Sequence, residues 1–353
     1  MIPAPGHPIR RGALYGLAAA ALFGASAPMA KLLLNDAGPL VLAGLLYLGA
    51  GLGLTLARPL VGRLRSPTET PLRRADVPLL VGLIVAGGIA GPILMLVGLT
   101  RVSGVTGSLL LTLEGPMTTI VALALFGEHL GRREVAGTAL VFLGAAVLGY
   151  GPGAIRAEPW GVLAIAAACA CWAVDNNLTQ RLSLRDPVSV VRWKTLGAGI
   201  CMSSIAIATG STFPRGRVLA ATLVIGALSY GVSVLLDLYA LRLLGAAREA
   251  AFFATAPFVG AIVAIPLLGE RLSLSDSVAA GLMIAGIAVL LRARHAHRHV
   301  HDEVVHDHLH VHDEHHRHDH DGPRIEPHAH PHRHDPIEHE HPHVSDTHHR
   351  HRH

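Results

Sequence analysis

The chain has 353 residues, of which 51% are hydrophobic and only 15% are charged. Soluble domains carry about 25% charged residues, so the composition argues against a soluble globular protein. The formal net charge of +4 combines a net +10 over residues 1–294 with a net −6 over residues 295–353, histidine being counted as neutral. The basic excess of the first part lies in short loops, which favours membrane topology over nucleic-acid binding.

Ten apolar segments are each long enough to cross a hydrocarbon core of roughly 30 Å. They span residues 12–34, 39–57, 77–98, 103–126, 134–150, 160–180, 187–209, 217–239, 247–268 and 274–291. The first contains a sequence like a signal-peptide cleavage site. Its repeat counterpart, at 160–180, is internal to the chain and cannot be a signal, so both are interpreted as membrane helices.

An internal repeat relates the fourth segment to the ninth. Pro116 and Pro257 lie in the middle of the two segments, and Gly-Glu pairs that end in Glu128 and Glu270 close them. The number of positions that separates the two prolines differs by only one from the number that separates the two glutamates. Because this separation is close to half the length of the membrane part, it indicates two related halves. Five helices per half is an odd number, so the halves must have opposite orientations, as in many secondary carriers.

The loop charges predict the topology. With a cytoplasmic N-terminus, the inner loops and flanks hold 17 Lys and Arg residues and the outer loops hold six. This bias places both termini in the cytoplasm and the protein in the inner (plasma) membrane. The predicted units are an N-terminus (1–11), a first five-helix repeat (12–150), a second five-helix repeat (151–294) and a histidine-rich tail (295–353).

Together these features resemble the drug/metabolite transporter superfamily, specifically its EamA-type members. The resemblance rests on the sequence from Phe23 to Lys31, FGASAPMAK, and on the two units that run from Pro116 to Glu128 and from Pro257 to Glu270. It implies an all-α membrane protein with ten transmembrane helices in two inverted repeats, which exchanges or exports a substrate through a central cavity. It leaves the substrate open, because the superfamily moves amino acids, other metabolites, nucleotide sugars and toxic compounds.

Three carboxylates lie inside predicted membrane helices: Glu114, Asp175 and Asp237. An ionised acid at the bilayer centre costs roughly 2.5–3.5 kcal/mol on insertion scales. Each acid is therefore either protonated or in contact with a water-filled cavity and a cation. Glu114 precedes Pro116 by two residues, and a proline frees a backbone carbonyl one turn earlier, so this pair predicts a proton or cation site. The alternative is a protonated Glu114 hydrogen-bonded to a neighbouring helix.

Further polar residues extend this set of candidates. Asn176 follows Asp175, and Ser26 occupies the position equivalent to Asp175 in the first half. The three consecutive polar side chains that begin at Asp175 span about 200° of helix surface and cannot all point at one site. Structural pairing with Arg242 is the alternative for Asp237. Lys194 and its neighbour Arg192 are interpreted as interfacial anchors, and the two repeat glutamates as structural residues at helix ends.

The tail contains 23 of the 25 histidines and almost no large apolar residues, which predicts a disordered segment. Neutral imidazole is a preferred ligand of zinc, nickel and copper. The candidate ligands are His306, His308, His310, His312, His315, His316, His318 and His320. We therefore expect a divalent transition metal on the tail and no permanently bound cofactor elsewhere; a pH-responsive or merely solvating tail is the alternative.

Membrane acids and a histidine tail in one chain predict a carrier that exports a divalent cation of nickel, cobalt or zinc in exchange for protons. The first alternative is an amino-acid or small-metabolite exporter whose tail is incidental or regulatory, and the second is a membrane-anchored metal store or sensor. No P-loop, nucleotide-binding fingerprint or catalytic triad is found, so no enzymatic activity is predicted. The expected partners are the lipid bilayer, a small-molecule or metal-ion substrate and protons, without nucleic acid.

Overall fold

The fold is taken from a computed structural model of the chain. It describes residues 7–62, 70–126, 131–150, 158–182, 185–244, 246–292, 295–301, 304–310, 328–334 and 337–343. Helices make up nearly all of the described chain before residue 293, and the chain is an all-α membrane protein.

The first half contains eight α-helices, several of them joined end to end by short breaks. They are α1 (His7–Gly24), α2 (Ser26–Leu33), α3 (Pro39–Gly62), α4 (Val77–Leu83), α5 (Gly91–Leu99), α6 (Gly104–Leu110), α7 (Glu114–Phe126) and α8 (Arg132–Tyr150). A 3₁₀ turn at Arg74–Asp76 precedes α4, a π-helical segment at Ile84–Ala90 joins α4 to α5, and a 3₁₀ turn at Leu111–Leu113 joins α6 to α7.

The second half repeats this plan. Its helices are α9 (Pro159–Arg181), α10 (Pro187–Ala208), α11 (Gly216–Gly226), α12 (Ser233–Leu244), α13 (Ala246–Phe253), α14 (Ala256–Leu268) and α15 (Leu274–Arg292). A π-helical segment at Ala227–Val232 joins α11 to α12, just as the one at Ile84–Ala90 joins α4 to α5 in the first half. The internal repeat is therefore present in the backbone geometry as well as in the sequence.

All ten predicted membrane segments form helical stretches in the described chain. Eight of these stretches are long and apolar enough to cross a membrane. The other two are α8, which begins with Arg132, Arg133 and Glu134, and α10, which carries Arg192 and Lys194. Both pack along a membrane helix, α8 against α15 and α10 against α3, so the ten-helix plan agrees with the packing.

The packing between the halves is itself a repeat. Helix α1 packs against α12 and α14 of the second half, and its counterpart α9 packs against α5 and α7 of the first half. Helices α3 and α10, which are equivalent to each other, pack together, and so do α8 and α15. Every one of these interfaces joins one half to the other, so the two halves form one body around α1 and α9.

Close helix contacts depend on glycines. A Cβ atom at Gly49 of α3 would lie 2.2 Å from the carbonyl oxygen of Leu223, and one at Gly226 would lie 2.0 Å from the carbonyl oxygen of Leu46. Real Cβ atoms do not approach oxygen so closely, so both positions need glycine for α3 and the α11 region to touch. Without a hydrophobic driving force between helices in lipid, such close packing contributes much of their association.

Glu270 has the structural role at a helix end that the sequence predicts. Its carboxylate accepts hydrogen bonds from the backbone N–H groups of Gly104 (2.7 Å) and Val105 (2.8 Å) at the start of α6. These groups have no partner within their own helix, and a negative charge is favoured at that end. Beside them, the ammonium of Lys31 donates to the carbonyl oxygens of Leu99 and Val102. Glu128 lies outside the described residues.

The described parts of the tail form two antiparallel ribbons. Strand β1 (His295–His301) pairs with β4 (Ile337–His343), and β2 (Val304–His310) pairs with β3 (His328–His334). An isolated two-stranded ribbon is marginally stable in water, and the principal pairing of these strands is with each other rather than with the helices. A segment whose described parts pair mainly with each other, in ribbons of marginal stability, fits the disordered tail that the sequence predicts.

The glycine contact between α3 and α11 can be tested by adding one methyl group. We expect Gly49→Ala to force these helices apart and to cost about 1–3 kcal/mol, as overpacking does elsewhere, which lowers the melting temperature in detergent. Gly281→Ala is the matched control, because a Cβ atom at Gly281 would meet nothing within 4 Å. Equal melting temperatures for the two variants would contradict the predicted role of Gly49.

Candidate functional site

The centre of the site is an ion pair between α9 and α10. The carboxylate of Asp175, which is 4% exposed, contacts the ammonium of Lys194 through Oδ2. Its other oxygen, Oδ1, is buried and has no hydrogen-bond partner among the residues that the structure describes. The Lys194 side chain is 18% exposed. The structure thus supplies the cation that an acid among membrane helices requires, and it corrects the interpretation of Lys194 as an interfacial anchor.

The π-helical segment of the first half makes room for this pair. A Cβ atom at Gly87 would lie 2.2 Å from the carboxylate carbon of Asp175, so a side chain at this position would displace the carboxylate from where it lies. The carbonyl oxygen of Gly87 accepts hydrogen bonds from the hydroxyl of Tyr47 (2.9 Å) and the indole N–H of Trp172 (3.1 Å). Two buried aromatic side chains therefore fix the backbone against which Asp175 rests.

Glu114 lies at the start of α7, directly after the 3₁₀ turn. Its Oε1 accepts a hydrogen bond from Nδ2 of Asn176 (2.9 Å), and the same amide donates to Thr118 Oγ1 (3.3 Å). The Glu114 side chain is partly accessible. The partner that donates to its carboxylate is a neutral amide, which in turn lies beside a neutral hydroxyl.

Consecutive residues of α9 reach different partners, as their spread around the helix predicts. Asp175 pairs with Lys194, and Asn176 donates to Glu114. Asn177 donates to the backbone carbonyls of Thr118 (3.1 Å) and Ala173 (2.8 Å). Asn177 thus ties α9 to α7. Asp175, Lys194 and Asp237 all lie within electrostatic range of Glu114, so these four charged groups share one region.

Ser26 and Pro116 occupy buried positions beside this region. The hydroxyl of Tyr230 donates to Ser26 Oγ (3.3 Å), and Tyr230 belongs to the π-helical segment of the second half. Ser26 therefore contacts the π-helical segment of the opposite half, as Asp175 does. The Tyr230 ring stacks on Tyr47 with centroids 5.6 Å apart. Pro116 is the third residue of α7, and the carbonyl that it is predicted to free stays a prediction.

Asp237 lies in α12 and contacts a residue that the sequence interpretation did not consider. Its side chain is within hydrogen-bonding reach of the Glu249 side chain in α13. A hydrogen bond between two carboxyl groups requires one of them to carry a proton. The side chain of Arg242, the partner suggested from the sequence, lies outside the described part of the structure.

The described side chains include no group of three or more His, Cys, Asp or Glu residues that could hold a metal ion. Three of the predicted ligands lie in β2: His306, His308 and His310. The other five lie outside the described residues: His312, His315, His316, His318 and His320. The metal prediction for the tail therefore stays a prediction.

Comparison with known proteins defines the family. The model of the EamA-like transporter family matches residues 10–150 and 159–292. The chain belongs to this family. The resemblance noted in the sequence is thereby confirmed, and this EamA-like chain is an integral membrane transporter with a lipid bilayer as its surroundings.

Curated relatives and a solved structure agree with this assignment. An uncharacterized transporter of Methanothermobacter thermautotrophicus is 26% identical over 305 residues, which cover 82% of this chain and 89% of that protein. The uncharacterized inner membrane transporter YedA of Escherichia coli K12 is 24% identical over 71% of this chain and 81% of its own length. A crystal structure with 20% identity superposes with a TM-score of 0.59 over 79% of this EamA-like chain and 97% of the other, which supports the fold alone.

The ion pair can be tested through stability. Asp175→Asn leaves the Lys194 ammonium without its partner, and breaking a buried pair costs about 3–5 kcal/mol. We expect a large drop in the melting temperature of the purified protein in detergent. The double variant Asp175→Asn/Lys194→Gln removes both charges and should recover most of the loss. If the double variant is no more stable than Asp175→Asn, the two charges are not coupled.

Proposed function

We propose that this EamA-like protein is a secondary carrier of the inner membrane that exports a small organic solute bearing a protonated amine, of the amino-acid or amine type. The observation that carries the proposal is the partly accessible Glu114 carboxylate, which accepts its hydrogen bond from the neutral amide of Asn176. An ammonium ion brings three donors and one positive charge, which match this carboxylate and the nearby hydroxyl of Thr118.

Competition at Glu114 supplies a mechanism for proton exchange. A carboxyl group that holds a proton has no negative charge to offer an ammonium group, so proton and substrate exclude each other at the same oxygen atoms. Antiport requires this competition: on each side of the membrane the carrier binds either the proton or the substrate and releases the other. Asp175, Lys194 and Asp237 lie in the same electrostatic field and set the balance between the two ligands.

A divalent metal cation is supported less well as the transported species. Lys194 already neutralises Asp175, so this carboxylate has no net charge left to help balance the double charge of a divalent ion. Zinc sites use four ligands, and other divalent ions use four to six, whereas Glu114 is joined by neutral amide and hydroxyl groups. The organic solute therefore replaces the metal ion as the leading candidate.

Metal transport stays a second candidate because of the tail. Its 23 histidines are an abundant supply of imidazole ligands. In this proposal the tail lies in the cytoplasm, binds zinc, nickel or cobalt, and either delivers the ion to the carrier or regulates it. A membrane-anchored metal store is the limiting case in which no transport occurs.

The role of Glu114 can be tested in proteoliposomes. We expect the wild type to move radiolabelled amino acids or amines faster when a pH gradient is imposed, and Glu114→Gln to abolish the gradient-driven part, a loss of at least about 100-fold. Asp36→Asn is the matched control, since Asp36 is an exposed loop acid. Gradient-driven transport that persists in Glu114→Gln would refute the mechanism.

The tail is tested separately by deleting residues 293–353. We expect the shortened protein to transport the organic solute at the wild-type rate and to lose most of its binding of zinc and nickel, measured by isothermal titration. If zinc or nickel instead enters proteoliposomes containing the wild type but not the shortened protein, the second candidate is favoured over the first. Unchanged metal binding after deletion would remove the tail from the proposal.

A further inference from the structure

Among the described residues, the ion pair of Asp175 and Lys194 leaves a hydrogen-bond acceptor and N–H donors without a partner. Buried polar groups are normally satisfied by hydrogen bonds, yet Oδ1 of Asp175 has no partner. An ammonium group has three N–H donors, and the hydrogen bond described for Lys194 is the one to Oδ2 of Asp175. A carboxylate oxygen and an ammonium group with spare donors, next to each other and shielded from water, indicate that a ligand completes the site.

The geometry around the pair shows that these unpartnered groups are built in. Gly87 leaves room for the Asp175 carboxylate, and Tyr47 and Trp172 hold the Gly87 carbonyl in place. The π-helical turn that presents Gly87 is repeated in the second half, but there the equivalent of Asp175 is the neutral Ser26. Both halves therefore contain the π-helical turn, but the acid that faces it is present in the second half and replaced by a serine in the first.

The charges limit what the ligand can be. Asp175 and Asn176 are neighbours in α9, and Asn176 binds Glu114, so Lys194 and Glu114 lie on the two sides of one short stretch of helix. A ligand with only a positive charge would face the Lys194 ammonium, and a ligand with only a negative charge would face the two acids. A ligand with both charges offers an ammonium to the acids and an anion to Lys194.

We propose that Lys194 is a specificity-determining residue, whose ammonium binds the carboxylate of a zwitterionic substrate while the substrate's amine binds Glu114. In the empty carrier Asp175 takes the place of the substrate carboxylate. On binding, Lys194 exchanges Asp175 for the substrate carboxylate, and the substrate ammonium then neutralises Asp175 as well as Glu114. This inference rests on the proposed transport of amine-bearing solutes, and it adds that the substrate also carries an anionic group next to its amine.

The test compares pairs of solutes that differ only by the carboxylate. The full-length protein is reconstituted in proteoliposomes and supplied with leucine or isoamylamine, and with phenylalanine or phenethylamine. We expect the wild type to prefer the amino acid in each pair. Lys194→Gln should lower the ratio of kcat/KM for amino acid to that for amine by about ten-fold or more, as the loss of one charge-assisted hydrogen bond does. Lys194→Arg, which keeps the charge, should retain the preference.

The double variant Asp175→Asn/Lys194→Gln guards against a folding defect, because it leaves neither member of the pair as an unpartnered charge. It should remain folded, judged by monodispersity in detergent, and should have the same lowered ratio as Lys194→Gln. A ratio that stays at the wild-type value in the folded double variant would overturn the role of Lys194 while leaving the proposed function intact. A wild-type protein that moves none of the four solutes would instead refute the proposed function itself.

Discussion

A carboxylate that is buried among membrane helices must be either protonated or paired with a cation, and for Asp175 this chain supplies the cation as Lys194. Taking both charges out of water is costly, so the pair persists only where the geometry brings the groups into contact. That contact fixes α9 against α10. It also restricts the segment that faces the pair, because a Cβ atom at position 87 would overlap the carboxylate in its present position. The π-helical turn contains Gly87, and hydrogen bonds from Tyr47 and Trp172 to its carbonyl oxygen hold it in position.

The scaffold is duplicated, but its chemistry is not. Equivalent helices make equivalent contacts across the two halves, and both halves contain a π-helical turn in their third membrane helix. The charged residues break this symmetry: Glu114 corresponds to Thr255, and Asp175 corresponds to Ser26. A symmetric framework allows the two halves to exchange conformations between inward and outward access. The asymmetric charges give this framework a polar region at positions whose equivalents in the other half, Thr255 and Ser26, are uncharged.

Much of the fold was predictable because its signals are local. Apolar runs of membrane length predict the ten helical stretches, and the spacing of Pro116 and Pro257 predicts the repeat. The site was predictable only in part. Acids inside apolar runs are conspicuous, so Glu114 and Asp175 were identified. Lys194 was misinterpreted, because near the start of a helix it resembles an interfacial anchor, and only the tertiary structure shows that α10 brings it to Asp175. The π-helical turns and the position of Gly87 have no signal in the sequence pattern.

A carrier must release its substrate as readily as it binds it, and in the exchange proposed for Lys194 the internal partner Asp175 serves that purpose. If Lys194 were unpaired in the empty state, the buried charge would be costly to maintain and a substrate carboxylate would bind too tightly to leave. With Asp175 in place, part of the binding free energy is spent on displacing an existing ion pair, so affinity is reduced without loss of discrimination. The same pair keeps the empty site close to neutral while the helices change conformation. The unpartnered oxygen of Asp175 and the spare donors of Lys194 are then the groups that allow one ion pair to open as another forms.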